Sequence, residues 1–341
     1  MKKIFLIGLT AAAMLASCSN DETVEMAQQK AIGFSNAFVN NGTRSVVDPS
    51  FTTSTLKDFA VYGFTQKGQI FNGEKVSGTT STGWSYDNVQ YWVPGNTYTF
   101  GAIAPYSVAG NVSNVTLPTG ATKVGMEVAF TNTDADQVDL LHAAPAQITG
   151  VTPTYTTPVS MTFNHQLSKV KFSFQNSVGE GYNVKVSNVK ITDAFKEGTL
   201  TVAATGNTWG GQTNKNLELN FGNVVADAST TEASVIANAA TLESYNEKLM
   251  IPMENTAIYT VKFTAELYKG NVLLGTYPHI VEIKNVEFKL GYCYNFKASL
   301  THKNITGPDE LNPIKFNVTS VENWNKEEDK NLNVPTTQSG I

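Results

Sequence analysis

The sequence predicts an all-β protein in which two tandem β-sandwich domains follow a signal peptide. From residue 31 onwards, apolar and polar residues alternate with a period of two, and helical periodicity is scarce. Turn-forming residues separate the alternating stretches at intervals of about 8–12 residues, as is typical of sandwiches. With 341 residues, the chain has the length of about two domains.

Composition excludes several classes of protein. The net charge is −5, from 24 Lys and Arg against 29 Asp and Glu, which argues against a protein that binds nucleic acid by neutralising phosphates. Charged residues make up 16% of the chain and aromatic residues 10%, so the chain is not of the disordered type. Two cysteines cannot form a disulfide framework or a thiolate zinc site.

Residues 1–17 have the pattern of a lipoprotein signal peptide. Two lysines precede an apolar run at 4–16, which is shorter than the roughly 20 residues that span a bilayer. The run ends in the letters LASC at 15–18, a match to the lipobox of bacterial lipoproteins. This match makes Cys18 the predicted lipidation site. An ordinary secretory signal with a chance cysteine is the alternative interpretation.

Residues 18–30 are then predicted to be a lipidated linker. Several acyl chains on Cys18 would anchor the protein stably in the outer membrane. The letters SNDE at 19–22 resemble the surface-export signal of Bacteroidetes lipoproteins, so we expect a surface-exposed location. Cys293, the other cysteine, lies in an alternating stretch and is interpreted as an inert packed residue.

The alternation divides the body of the chain into two predicted domains, 31–158 and 159–325, followed by a polar tail at 326–341. A proline- and threonine-containing segment at 147–158 is the predicted linker. The predicted strands of the first domain are 31–39, 58–65, 89–93, 97–104 and 125–130. Those of the second are 166–174, 182–192, 199–203, 217–221, 257–268, 272–284, 292–300 and 314–319.

No catalytic motif is present in the sequence. His142 and His165 have no neighbouring nucleophile and are interpreted as hydrogen-bonded structural residues. The acidic letters NTDAD at 132–136 lack the glycine and the final glutamate of a calcium loop, so we interpret them as a solvated loop. The sequence therefore predicts no enzyme, no cofactor and no metal site. Carboxylates assembled by the fold for glycan cleavage stay open as an alternative, because their separation is set by the fold.

With these features in place, the chain resembles the fimbrillin family of Bacteroidetes lipoproteins. The resemblance covers about residues 1–325 and is carried by short motifs in the family's order. These are AIGFS at 31–35, NGTRS at 41–45, YWVP at 91–94, YTFGAIAP at 98–105, DLLHA at 139–143, FNHQLSKV at 163–170, GYCYNF at 291–296 and IKF at 314–316 before Trp324. Such proteins are similar to pilus subunits with two transthyretin-like sandwiches.

The resemblance implies assembly into a pilus by strand exchange after proteolysis. The implied cleavage lies between Arg44 and Ser45. The strand that is lost would carry its apolar side chains on one face, where the residues are Ile32, Phe34 and Phe38. A C-terminal strand of another subunit would then fill the vacated groove, and its candidate residues are Ile314, Phe316 and Val318. The implied partners are therefore other pilin subunits, within a fimbrium.

The residues themselves leave alternatives open. Asn36 interrupts the apolar face of the first strand, which weakens the case for its tight burial. Arg44 is equally well explained as a plain surface arginine. Residues 314–319 are equally compatible with a permanent edge strand of their own domain. The alternative function is that of a monomeric, surface-anchored lipoprotein that binds a glycan or a host protein. The aromatic residues of the segment 84–92 could stack on sugars, but their interpretation as core residues is favoured. The stalk, tip or anchor role stays open.

Overall fold

The computed structural model describes residues 30–39, 56–79, 81–227, 229–253, 257–308 and 311–323. Within these ranges, the side chains of 36–39 and 319–323 are not described. Cys18, Arg44, Ser45 and the tail 326–341 lie outside the described residues. The described part of the chain consists of β-strands with only short helical segments, which confirms the predicted all-β fold class.

The strands vary from three to 13 residues in length. In the first half of the chain they are β1 Phe34–Val39, β2 Asp58–Thr65, β3 Gly68–Thr79, β4 Gly83–Ser85, β5 Tyr98–Ala104, β6 Val112–Thr116, β7 Gly125–Thr131, β8 Leu141–Ala143 and β9 Val159–His165. In the second half they are β10 Ser168–Asn176, β11 Tyr182–Ala194, β12 Glu197–Ala203, β13 Gly206–Thr213, β14 Leu217–Gly222, β15 Thr241–Glu243, β16 Lys248–Met250, β17 Tyr259–Lys269, β18 Val272–Ile283, β19 Tyr292–Leu300 and β20 Phe316–Asn323. A 3₁₀ helix covers Tyr106–Asn111, and the helix α1 covers His302–Thr306.

The N-terminal sheet has the strand order β1-β9-β8-β5-β2-β3-β4. Its central strands β2 and β5 are buried along most of their length, because the sheet packs on both faces. On one face, Phe59, Val61 and Phe100 belong to a core that includes Ile32 and Phe34. The strand β1 is at the edge of this sheet and pairs with β9 in parallel.

A second sheet, which we call the shared sheet, contains strands from both predicted domains. Its order is β13-β12-β7-β6, and β7 pairs with β12 in antiparallel register from Met126↔Val202 to Thr131↔Glu197. It packs on the other face of the N-terminal sheet. The core between them includes Tyr62, Ile103, Met126, Val128, Phe130, Leu200 and Val202.

The predicted linker at 147–158 packs along the N-terminal sheet. Ile148 and Tyr98 exchange both backbone hydrogen bonds, at 2.8 and 2.9 Å, and Val151 is buried. The strand β9, which follows this segment, lies in the N-terminal sheet. Strands from before and after residue 158 therefore share both the N-terminal sheet and the shared sheet. The division into two domains stays a prediction.

The C-terminal part forms two sheets that pack face to face. One has the order β15-β10-β19-β20, with β16 also paired to β10, and the other has the order β14-β11-β17-β18. The core between them takes its aromatic residues from both sheets, among them Phe172, Phe174, Phe263 and Phe296. This arrangement is a β-sandwich, and β20 is at one edge of it.

Candidate functional site

The candidate site is the groove in which the first strand lies. Ile32 is 1% exposed and Phe34 6% exposed, and both belong to the core of the N-terminal sheet. Gly33 between them is partly exposed, so the two apolar side chains point to the same side. Full burial of such a side chain contributes roughly 1.5–3 kcal/mol, so this pair contributes about 3–6 kcal/mol before ordering costs.

Four aromatic rings form the pocket that holds Phe34. The ring centroids of Tyr86, Phe71, Phe59 and Phe100 lie 5.5, 5.9, 6.0 and 6.2 Å from that of Phe34. All four contacts have an edge-to-face geometry, which is one of the favoured arrangements of aromatic pairs. The pocket therefore fits a phenyl ring closely.

Backbone hydrogen bonds hold the segment on both sides. On one side, the N–H of Ile32 donates to the carbonyl of Gln90 at 2.8 Å, and the N–H of Trp92 donates to the carbonyl of Lys30 at 2.9 Å. On the other side, the N–H of Val159 in β9 donates to the carbonyl of Gly33 at 2.8 Å. Residues 30–33 thus lie between two rims that offer hydrogen-bonding groups.

Tyr86 connects the ring pocket to the backbone of the segment. Its hydroxyl donates to the carbonyl oxygen of Ile32 at 2.7 Å. Burial raises the pKa of Tyr86, so the phenol stays protonated and remains a donor at neutral pH. The sequence does not predict Tyr86 as a residue of this site. No local pattern marks it, because its role arises from contacts across more than fifty residues of chain.

The pairing of β1 with β9 is regular only at its start. Phe34 is opposite Val159 and Ser35 is opposite Ser160, but an irregularity follows before Phe38, which is opposite Thr162. It lies between Ser35 and Phe38, an interval that includes Asn36, the residue that interrupts the apolar face in the sequence. Phe38 lies within β1, but its side chain is among those that are not described. Ile32 and Phe34 carry the described burial.

The candidate donor strand is paired within its own sandwich. β20 pairs with β19 in antiparallel register and has no partner on its other side among the described residues. The strand begins at Phe316 rather than at the predicted residue 314, so Ile314 lies two residues before it. Ile314 is 2% exposed, and Phe316 and Val318 pack partly buried against the same core. In the isolated chain this segment thus has the arrangement that the sequence offered as the alternative, an edge strand of its own sandwich.

The ring of Phe316 has aromatic neighbours in this position. Its centroid lies 5.2 Å from Phe172, 5.8 Å from Phe174 and 6.1 Å from Phe263. Donation of β20 to another subunit therefore has to break these three ring contacts and the pairing with β19.

The two histidines that the sequence singled out are buried and hydrogen-bonded. Nδ1 of His165 lies 2.7 Å from a carboxylate oxygen of Asp139, and Nδ1 of His142 accepts from the side-chain amide of Asn207 at 3.1 Å. Burial, and secondarily the charge of Lys123, lower the pKa of His142 to about 4. Both side chains therefore have structural partners, as the sequence predicts.

The acidic loop at 132–136 is tied to the second half of the chain. A carboxylate oxygen of Asp134 lies 2.9 Å from the ammonium of Lys248 and accepts from the N–H of Asn220 at 2.7 Å. This carboxylate is thus already engaged by a cation and a backbone donor. In the part of the chain that the structure describes, no group of three or more His, Cys, Asp or Glu side chains is arranged to hold a metal ion.

An open cavity of about 760 Å³ lies between the N-terminal sheet and the hairpin of β12 and β13. Polar side chains from both sides line it, among them His142, Asn164, Gln166 and Asn207, together with the aromatic ring of Tyr155. Its volume is in the range of ligand sites. The groove under the first strand is the better-defined site, because a segment of the protein fills it with buried side chains and backbone hydrogen bonds.

Within the described ranges, none of the helices has the length and the apolar character that a membrane crossing requires.

Comparisons with known proteins agree with this fold. The chain resembles a fimbrial protein from Bacteroides vulgatus, with a TM-score of 0.59 and 16% identity over 86% of this chain and 99% of that one. It also resembles a candidate cell adhesion protein from Bacteroides ovatus, with a TM-score of 0.50 and 18% identity over 88% and 99% of the two chains. No curated protein matches the sequence. The family profile described as "Fimbrillin-like" matches residues 43–324, which is most of the chain. The protein therefore belongs to the fimbrillin-like family.

Proposed function

We propose that the protein is a structural or adhesive subunit of a cell-surface pilus that assembles by exchange of β-strands. In this proposal the chain is exported as a lipoprotein on Cys18, loses its first strand by cleavage after Arg44, and receives a C-terminal strand of the next subunit. Membership of the fimbrillin-like family supports a fimbrial or adhesion subunit at the cell surface, in a family of structural proteins rather than enzymes.

The observation that carries the proposal is the way in which the first strand is held. β1 is at the edge of the N-terminal sheet, so removal of the leading segment breaks the ladder with β9 and the bridge between Ala31 and Tyr91 and leaves the rest of the sheet paired. The removal uncovers the ring pocket of Phe34 and frees donors and acceptors on both rims. An open groove of this kind is a template for a strand from another chain.

The C-terminal strand supports the donor role through its position. β20 is an edge strand, paired on one side only within the described residues. An edge strand is released at the cost of a single ladder, whereas a central strand would need two. The apolar side chains of Ile314, Phe316 and Val318 alternate with polar ones, as the filling of a groove requires.

The first experiment treats the chain, with Cys18 replaced by Ser, with a limiting dose of trypsin. We expect a stable product that begins at Ser45 and then associates into a ladder of multimers, as seen by size-exclusion chromatography with light scattering. The variant Arg44→Gln is the matched control and should stay uncut there and monomeric. A stable product with a different N-terminus would exclude Arg44 as the cleavage site, and a cut protein that stays monomeric would exclude strand exchange.

The second experiment tests the donor with a synthetic peptide of residues 311–323, which leaves the fold of the subunit intact. The peptide should bind cleaved protein and cap the ladder, while a peptide with Ile314 and Phe316 both replaced by Ser should not. Uncleaved protein is the control for the occupied groove and should bind neither peptide. Ladders that grow equally well in the presence of either peptide would remove the donor role from this strand.

A further inference from the structure

Two places in the chain share an uncommon local pattern. The pattern Ile-x-Phe occurs at two positions in the sequence, 32–34 and 314–316. The first is the part of the leading segment that fills the groove, and the second begins the candidate donor strand. In both places the isoleucine is almost fully buried, the middle residue is more exposed, and the phenylalanine lies among aromatic rings.

We propose that a second copy of this chain enters the vacated groove in one defined register and direction. Ile314 takes the place of Ile32 and Phe316 that of Phe34, so that the donor runs parallel to β9. This inference rests on the proposed function and adds to it the alignment of the two chains, which fixes the partner of each residue.

The residue before the pattern provides the first such fit. In this register Pro313 takes the place of Ala31, and proline has no backbone N–H to donate. The bridge between Ala31 and Tyr91 is closed by the N–H groups of Ile32 and Trp92. Among the described residues, the N–H of Ala31 donates to no acceptor. A proline at this position therefore costs no hydrogen bond.

The middle residue of the pattern provides the second fit. Lys315 takes the place of Gly33, so a side chain has to fit where there is none. A Cβ atom built on Gly33 would lie 3.6 Å from Cβ and 3.8 Å from Cγ of Pro158, which are ordinary van der Waals distances. The backbone of Gly33 is not in the left-handed region, and the residue is partly exposed. A lysine is thus accommodated, with its ammonium directed to water.

The ring pocket selects this register over its neighbours. A shift by two residues keeps the same faces of the donor buried but places either Ile314 or Val318 in the pocket of Phe34. Either residue is smaller than a phenyl ring and would leave a cavity among four aromatic side chains, which is destabilising. In the proposed register the donor regains hydrogen bonds on two rims, whereas β20 has one ladder in its own sandwich.

Disulfide cross-linking between two copies tests the register. Ser35 is opposite Ser160 of β9, so the proposal places Asn317 of the donor opposite Ser160 of the acceptor. Ser160 and Asn317 are both exposed in the isolated chain. In a background with Cys18 and Cys293 replaced by Ser, trypsin-cleaved Ser160→Cys protein is mixed with uncleaved Asn317→Cys protein under glutathione disulfide. The controls are donors with Lys315→Cys or Thr319→Cys, which would be opposite Ser160 if the register were shifted by two residues.

We expect a disulfide-linked dimer of one cleaved and one uncleaved chain, at least about tenfold more abundant with the 317 donor than with either control donor. Preferential linking of the 315 or 319 donor would overturn the register while leaving strand exchange intact. Association by light scattering without a link from any of the three donors would also overturn it. No association in any mixture would overturn the proposed function, and this inference with it.

Discussion

Truncation of Phe34 to Ala tests how firmly the first strand is held in the groove. Phe34 is 6% exposed and has four aromatic neighbours at 5.5–6.2 Å. Loss of a buried Phe side chain costs about 3–5 kcal/mol. Since β1 is at a sheet edge and its surroundings can relax, we expect the lower end, about 3 kcal/mol. At 1.36 kcal/mol per tenfold, this corresponds to roughly a hundredfold increase in the detached fraction of the segment.

Two measurements check this expectation on the uncleaved protein. Urea unfolding followed by tryptophan fluorescence reports the free energy of unfolding, because Trp84 and Trp92 belong to or pack against the same core. Hydrogen exchange of the Ile32 and Val159 amides reports detachment of the segment directly. The control is Ser35→Ala, a partly exposed position of the same strand, for which we expect less than about 0.5 kcal/mol. A loss below about 1 kcal/mol for Phe34→Ala, with unchanged amide exchange, would refute the description of the groove as the main contact of this strand.

Three further predictions concern the core around the groove and the junction of the two halves. Gly63→Ala should lower the free energy of unfolding by about 1–3 kcal/mol, because a Cβ there would lie 2.9–3.1 Å from ring atoms of Phe71 and Phe100. Gly33→Ala is the control and should be nearly neutral. Equal effects of the two substitutions in urea unfolding would contradict the reasoning. Leu200→Ala should lower the free energy of unfolding by about 2–5 kcal/mol and destabilise both halves of the chain in one unfolding transition. Thr201→Ala, on the opposite face of the strand, is the control and should have little effect. Separate unfolding transitions of the two halves in calorimetry would speak against a common core. Burial lowers the pKa of His142 to about 4, below its ordinary value near 6.5. The contribution of the neutral, buried His142 to the free energy of unfolding should therefore be fully present above pH 6.5. It should fall by up to about 3 kcal/mol as the pH approaches 4. His142→Gln should flatten this part of the pH profile, and an unchanged slope would assign the loss to other groups.

The sequence predicted strands well where alternation is strong and the flanking turns are clear. The strands β2 Asp58–Thr65 and β19 Tyr292–Leu300 have the bounds predicted for them. In β19 aromatic residues alternate with others, whereas β2 is a short, nearly continuous apolar run that is buried on both faces. Glycine- or lysine-containing segments flank both strands. The local pattern alone is sufficient in such places, because the residues that fill the core also favour extended backbone.

Other strands could not be predicted from local pattern. β3 Gly68–Thr79 and β13 Gly206–Thr213 are polar and rich in glycine, and each forms because a neighbouring strand offers it a partner. Conversely, residues 89–93 were predicted as a strand but have only an isolated bridge between Tyr91 and Ala31. Pairing over a long sequence separation decides these cases, and period-two alternation carries no information about it.

The same limit applies to the groove. The sequence places Ile32 and Phe34 on one face of a strand at 31–39. Both are buried in the same core, but the observed strand begins at Phe34 and Ile32 lies just before it. The four rings around Phe34 come from positions 59 to 100, and the rim at Gln90 and Trp92 comes from a segment without regular structure. The alternation of one strand indicates which side chains need a pocket, and the rest of the fold determines where that pocket lies.

The antiparallel ladder between β7 and β12 has a mechanical consequence for a subunit that is pulled from its two ends. A tension directed along these strands loads all of the ladder's hydrogen bonds at the same time, so they have to break together. The chain connection near residues 166–167 is then not the sole element that bears load between the two halves. Under such a tension the two halves of the chain would separate only when this whole ladder ruptures.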